Sequence, residues 1–272
     1  MSSITFFVPA FNSASTIKET ISSLLNQSIR DFKIFVLDNG SSDNTLEVLN
    51  YFKDKRLIIK KYPHTKSLGS SLNRAFDFQI ESLFCICHAD DLYNPKFAEN
   101  IIQEFKNNKD LDIVFCNADL IDDSSRIFFS LKNYFKNLIN NLFPNFTGRS
   151  AVIRLFFFNS LIAPSACFRQ NSIYKKIGFN KDFVFYTDVY LWTRLLHQNV
   201  KIKCLSYRGI RYRVHNKQLS FSAGRWSKQL NELRSLKKII EDIYGDNIIL
   251  KVALPLGIGF RWLFYFVKNV FK

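Results

Sequence analysis

The sequence predicts an α/β protein whose central sheet is mostly parallel, with flanking helices and a helical C-terminal tail. Short apolar runs of strand length recur along the first half of the chain, and helical patterns of apolar residues separate them. The first, second and fourth runs also break into polar residues at their carboxyl ends, where ligands bind in sheets of this kind.

Ile4 to Val8 is the first strand, ended by Pro9, and Asn12 to Ser15 offer caps for a helix through Ile17, Ile21, Leu24 and Leu25. Phe32 to Leu37 is the second strand. It breaks into Asp38-Asn39-Gly40-Ser41-Ser42-Asp43 before a helix carrying Leu46, Val48 and Leu49. Leu57 to Lys60 forms a third strand and Ser70 to Phe78 a third helix. The fourth strand starts at Leu83 and breaks abruptly into His88, Ala89, Asp90 and Asp91. A helix over Pro95 to Asn107 then leads to a strand at Ile113 to Asn117. Such alternation implies right-handed βαβ units, so the loops after the first, second and fourth strands converge on one edge.

Beyond this point the alternation lapses. Ser130 to Ser150 is basic, aromatic and rich in Asn, with Leu131, Phe135, Leu138 and Leu142 at helical spacing. That suits an inserted helix or lid whose apolar face packs inward, with contact to an acceptor or a membrane as the alternative. Trp226 to Tyr244 repeats apolar residues at Leu230, Leu233, Leu236, Ile240 and Ile243, an amphipathic helix with a basic face. Val252 to Val267 is nearly all apolar, but it contains Pro255, Gly257 and Gly259 and falls short of the ~20 residues of a membrane span. Trp262, Phe264, Tyr265 and Phe266 beside Arg261, Lys268 and Lys272 read as an interfacial anchor, the alternative being a tail folded back on the core. The chain therefore divides into a domain over 1–225 and a tail over 226–272.

Lys and Arg outnumber Asp and Glu by 38 to 23, a formal charge of +15 that calls for an anionic partner. Attachment to an anionic membrane surface accounts for it better than nucleic acid does. The five cysteines, Cys85, Cys87, Cys116, Cys167 and Cys204, form no C-x-x-C pair and read as buried thiols in a reducing compartment. The N-terminus has neither the basic start nor the apolar core of a secretory signal, so the expected location is the cytoplasm.

Asp90 and Asp91 are adjacent carboxylates at the end of a buried strand. They raise each other's pKa unless a cation sits beside them, and a divalent metal resolves the repulsion. The alternative is a solvated turn that caps the helix opened by Pro95.

Together these segments resemble the family 2 glycosyltransferases of the GT-A, Rossmann-like fold. F-F-V-P-A-F-N is similar to the family's first-strand motif, and L-D-N-G-S-S-D-N-T to its D-D-G-S-x-D-x-T loop. C-H-A-D-D-L-Y-N-P resembles the D-x-D-D-x-x-x-P element, F-Y-T-D-V-Y-L-W-T-R-L the Glu-Asp-x-x-Leu-x-x-Arg stretch, and Y-R-V-H-N-K-Q-L-S the late Tyr-Arg-x-His segment.

The resemblance implies an inverting transfer of sugar from a nucleotide donor, expected to be UDP-linked, to a hydroxyl of a lipid-linked or surface glycan. The enzyme would work while attached peripherally to the inner face of the membrane. It assigns Pro9, Phe11, Asn12, Asp38, Gly69, Asn73, His88, Asp90 and Arg213 to the nucleotide sugar. Asp90 and His215 would hold Mn²⁺ or Mg²⁺, and Asp188 would be the base that deprotonates the acceptor. The chain departs from the pattern twice. His88 stands in the first acidic position of D-x-D, where an imidazole suits a ribose hydroxyl or ligation of Mn²⁺, and Thr187 replaces the Glu before Asp188. Transfer to polyprenyl phosphate is a rival reading, but an anionic nucleophile needs no base at Asp188. A non-catalytic basic binding protein on a decayed transferase fold is the other rival.

Overall fold

A computed structural model describes residues 4–78, 83–215, 226–245 and 254–259. The first strand, β1 (Ile4–Ala10), is buried along almost its whole length because sheet neighbours flank it on both sides and helices cover both faces. It is followed by α1 (Ile17–Leu25), β2 (Phe32–Asp38), α2 (Thr45–Asn50), β3 (Leu57–Lys61) and α3 (Leu68–Asn73). Then come β4 (Leu83–Ile86), the short β5 (Leu92–Tyr93), α4 (Phe97–Asn107) and β6 (Ile113–Ile121). The second half comprises β7 (Ile127–Phe128), α5 (Leu131–Leu142), β8 (Asn145–Phe146), α6 (Gly148–Phe157), β9 (Cys167–Arg169), α7 (Ile173–Ile177), α8 (Thr187–His197), β10 (Ile202–Arg213) and α9 (Trp226–Tyr244).

The sheet runs β3-β2-β1-β4-β9-β6-β10-β5, with β7 and β8 paired at its margin. β1 pairs in parallel with β2 on one side and β4 on the other, so the winding direction reverses between β1 and β4. A crevice opens where two such strands diverge, and their carboxyl ends carry Pro9, Phe11, His88 and Asp90. The predicted parallel order holds from β3 to β4 and between β6 and β10. The sheet becomes mixed where β9, only three residues long, inserts antiparallel between β4 and β6.

The third helix is shorter than predicted. It ends at Asn73 and continues as a tighter turn over Arg74–Asp77.

Two readings of the sequence are corrected by packing. Cys85 and Cys167 are not free thiols: they face each other across the β4–β9 pair and are joined as a disulfide, while Cys87, Cys116 and Cys204 remain free and buried. The apolar stripe of α5 does not pack inward either. Leu131, Tyr134, Phe135 and Leu142 are exposed, whereas Asn137 and Asn140 are buried against the sheet. Asn133 and Asn137 both donate to the Ala118 carbonyl, and Asn140 donates to the Asn117 side chain and the Ser160 carbonyl. Asparagine ties α5 to β6 by hydrogen bonds, and its hydrocarbon faces outward.

The first helix of the proposed tail is part of the core. Leu233, Leu236 and Ile240 of α9 are fully buried among the residues that surround Trp192 of α8, and Leu254 joins the same cluster. Val252, Ala253 and the expected anchor from Phe260 onward lie outside the described residues. Among the described residues, no helix is long and apolar enough to cross a membrane.

The abundant phenylalanines fill this core in specific geometries. Phe84 stacks on Phe168 at 4.9 Å and Phe76 on Phe179 at 5.6 Å, joining β4 and β9 to the loop that leads into α8.

Candidate active site

A pocket of about 750 Å³ opens at the carboxyl ends of β1 and β4, within the usual range for small-molecule sites. Pro9, Phe11, His88, Asp90, Asp188 and His215 all line it. Residues separated by as many as 206 positions in sequence thus share one cavity.

The wall formed by β1 and β2 has been latched by their loops. Asn12 adopts the left-handed conformation, at φ 48°, which asparagine tolerates. Its Oδ1 accepts from the Ser42 amide at 2.8 Å, and its own amide donates to Ser41 Oγ. Asp38 is buried at the end of β2 and accepts from the amides of Gly40 and Ser41, both at 3.2 Å. It therefore forms an Asx turn that holds the loop.

Phe11 is 45% exposed and stacks on His64, with ring centroids 4.5 Å apart. Asn39 is clasped to the β3 side: its Oδ1 accepts from Thr65 and Arg74, and its Nδ2 donates to the Thr65 carbonyl. The Arg74 guanidinium lies over the Tyr62 ring at 4.4 Å. His64, Asn39 and Tyr62 were not singled out from sequence. The signal that could have found them is position, because the K-Y-P-H-T run begins at the carboxyl end of β3, on the same edge as the other functional loops.

Opposite this wall lies the acidic turn. His215 Nε2 is 3.1 Å from Asp90 Oδ2. Asp91 is completely buried. Its Oδ1 accepts from the Arg213 amide at 2.8 Å, while its Oδ2 has no hydrogen-bond partner among the described residues and lies 3.9 Å from His88 Nδ1. Burial, reinforced by the neighbouring Asp90 carboxylate, pushes the Asp91 carboxyl well above its ordinary value. His88 faces the pocket with 37% of its side chain accessible, yet burial pulls its pKa down despite Asp90 and Asp188 nearby. Its amide donates to Tyr93 Oη, which in turn donates to the Pro164 carbonyl.

A ligand atom from each of His88, Asp90 and Asp91 falls within 4.8 Å of the others. An orphaned buried carboxylate oxygen beside an imidazole is a donor set suited to a borderline divalent cation, so these residues fit a metal such as Mn²⁺.

Asp188 sits in the first turn of α8, across the pocket. Its Oδ2 accepts from Asn159 Nδ2 at 2.8 Å and its Oδ1 from the Val189 amide at 2.7 Å. The segment that leads into α8 is held from a distance: Glu232 of α9 accepts from the amides of Val184, Phe185 and Tyr186.

Five of the residues expected at the nucleotide sugar, Asn12, Asp38, Gly69, Asn73 and Arg213, do not line this pocket. Arg213 is only 2% exposed, and its guanidinium donates to the carbonyls of Asp90, Asp122 and Asp123, to Glu19 and to Ser125. Its fork is committed to protein oxygens, among them the Asp90 carbonyl, and so braces the turn that carries Asp90. Gly69 and Asn73 lie outside the pocket lining. Asn73 donates to the Phe179 carbonyl and accepts from the Phe179 amide, and a Cβ on Gly69 would collide with the Asn180 carbonyl. Both fix the loop that delivers α8.

The chain is similar to proteins of known class. It is 26% identical to an uncharacterized glycosyltransferase of Methanocaldococcus jannaschii over 74% of this chain and 67% of that protein. It is 24% identical to the UDP-Glc:alpha-D-GlcNAc-diphosphoundecaprenol beta-1,3-glucosyltransferase WfaP of Escherichia coli over 88% of this chain and 87% of that protein. In three dimensions it resembles S. aureus TarS 1-349 in complex with UDP-GlcNAc, with a TM-score of 0.74 at 16% identity, covering 97% of this chain and 73% of that one. It also resembles the mannosyltransferase PcManGT from Pyrobaculum calidifontis in complex with GDP-Man and Mn²⁺, with a TM-score of 0.61 at 16% identity, covering 95% and 72%. These likenesses establish a GT-A fold. The model of the family described as Glycosyl transferase family 2 matches residues 5–163, more than half of the 272-residue chain, and the chain belongs to that family.

Proposed function

We propose that this glycosyltransferase inverts configuration as it moves a sugar from a UDP-linked donor to a hydroxyl of a lipid-linked glycan at the inner face of the membrane. The single observation that carries this reading is the opposition of Asp188 to the Asp90–His215 pair across one pocket. Phe11 and His64 offer a stacking wall for the base, and Asp38 and Asn12 hold the loops behind it.

In the proposed step the acceptor oxygen attacks the anomeric carbon, and the bond from that carbon to the diphosphate oxygen breaks. Asp188 takes the hydroxyl proton, and the electron pair of the broken bond leaves with the nucleoside diphosphate. Asn159 holds one carboxylate oxygen so that the base is presented in a fixed orientation. His88 and Asp90 face the donor side, where His88 suits a ribose hydroxyl or the metal. Mn²⁺ or Mg²⁺ held by Asp90 and His215, with Asp91 behind them, would neutralise charge gathering on the leaving group. A neutral hydroxyl acceptor requires such a base, which favours this reading over transfer to an already anionic polyprenyl phosphate.

Thermal melting with a panel of nucleotide sugars and Mn²⁺ tests the donor class. A UDP-sugar at about a hundred times its dissociation constant should add about 2.7 kcal/mol of stability. Stabilisation by duplex DNA with no response to any nucleotide sugar would overturn the reading.

A further inference from the structure

We propose that the exposed apolar face of α5, with the strand before it, docks on an anionic lipid bilayer and sets the pocket mouth at the headgroup level. This rests on the reading of a lipid-linked acceptor given above, and it names a surface distinct from the C-terminal tail.

An amphipathic helix on a globular protein ordinarily turns its apolar stripe to the core. Here the stripe faces outward. Phe129 is 77% exposed, Leu142 63%, and Leu131 and Phe143 both 60%, with Tyr134 and Phe135 nearly half exposed between them. The aromatic members touch one another on the surface: Phe129 packs on Tyr134, and Tyr134 edge-on against Phe135. This arrangement is not a helix that has failed to dock, because its other face is fastened by Asn133, Asn137 and Asn140 to β6 and to the segment after α6. A contiguous apolar patch of large side chains held in place by a polar inner face marks an interaction surface.

Charge selects the occupant. No Asp or Glu occurs in the 58 residues from Ser124 to Lys181, while nine Lys or Arg do. Arg126 pairs with Asp122 and Arg154 with the carbonyls of Phe143 and Asn145, while Lys132 and Lys136 of α5 and the exposed Arg149 are the cations around the patch. Aromatic and leucine side chains flanked by these cations, in a stretch without acidic residues, match the two layers of an anionic bilayer surface, the acyl boundary and the headgroups. The same helix reaches the site: Lys132, Asn133 and Lys136 line the pocket that contains Asp188, as does Phe128 of β7. A bilayer under α5 would therefore present a lipid-borne acceptor at the open side of the pocket with its tail still in the membrane.

The test is co-sedimentation of the full chain with vesicles of phosphatidylcholine alone and with a third of phosphatidylglycerol, comparing wild type, a Phe129→Ser/Leu131→Ser/Leu142→Ser triple variant, and a Trp262→Ser/Phe264→Ser tail variant. All three substituted positions in the triple variant are exposed, so its melting temperature and its binding of a UDP-sugar should match wild type. The expected result is strong binding to the anionic vesicles only, reduced at least tenfold in the triple variant. Unchanged vesicle binding in the triple variant, or loss confined to the tail variant, would overturn the proposal. So would a wild-type dimer that becomes a monomer in the triple variant while vesicle binding is unaffected, since the face would then serve a second copy. Failure of the donor reading would leave this outcome unaffected, because vesicle binding requires no turnover.

Discussion

Asn159 donates its Nδ2 to Asp188 Oδ2 at 2.8 Å, so the residue just after α6 orients the carboxylate in the first turn of α8. The other oxygen is held by the Val189 amide. Removing the base itself should cost two to four orders of magnitude in turnover, roughly the contribution of general-base catalysis. Asp188→Asn is thus expected to melt like wild type and bind donor normally while releasing almost no nucleoside diphosphate; near-normal release would reject the assignment.

Asn159→Ala removes the orienting bond but leaves the base. A hydrogen bond to a charged group is worth about 1.5–3 kcal/mol, which corresponds to a fall of roughly ten- to a hundredfold in kcat. Steady-state kinetics should place the loss in kcat with KM for the donor unchanged. A loss only in KM would mean that Asn159 binds substrate and does not position the base.

His215 and Asp90 meet at 3.1 Å beside the unpartnered Asp91 oxygen. If the two hold a metal, His215→Ala should weaken Mn²⁺ binding at least tenfold in calorimetry, about the cost of disturbing a ligand shell. A chelator should abolish turnover in wild type and Mn²⁺ should restore it. Identical Mn²⁺ affinity in the variant would remove His215 from the metal.

Arg213 supports the same turn from within. Taking away a buried charge that serves several acceptors costs about 3–5 kcal/mol, so Arg213→Met should lower the melting temperature by about 10 °C. Arg213→Lys should recover little, since an ammonium cannot span carbonyls and carboxylate together. A variant that melts normally but has lost donor affinity would restore the phosphate role expected from sequence.

At the far edge of the sheet, the Arg56 guanidinium hydrogen-bonds the Asp54 carboxylate and lowers its pKa from the usual 3.8 to about 2. A depressed native pKa adds stability that is complete above the unfolded value and fades as pH falls toward 2. The pair is partly exposed, so the gain is at most about 1 kcal/mol. The gap in unfolding free energy between wild type and Asp54→Asn should be full at pH 6 and cut to about a third at pH 2.5.

The sequence was most informative where a residue's placement follows from its position along the chain. Phe11, Asp90 and Asp188 stand at strand ends or a helix start, and local pattern together with family resemblance is enough to bring them to one edge. It was least informative where a residue's role is decided by partners far away. Arg213 has the chemistry of a phosphate fork, and only the fold reveals that Glu19, 194 residues earlier, and three carbonyls have already occupied it. Glu232 holds the segment before α8 from a helix that the sequence assigned to a separate tail. β9 is too short for any periodicity, and the disulfide follows from its register against β4. The spacing in α5 correctly indicated a helix, but spacing alone cannot say which face meets the protein.

The contact at Gly69 acts as a gauge with no adjustable part. Backbone meets backbone where α3 touches the carbonyl of Asn180, so the separation between α3, which lines the pocket through Leu68 and Leu72, and the segment leading to Asp188 cannot be taken up by a change of rotamer. Ser67 and Asn73 bolt the same junction on either side. Displacements of about 1 Å can cost a hundredfold in rate, which means a single methyl group at this position, outside the pocket, would detune the reaction.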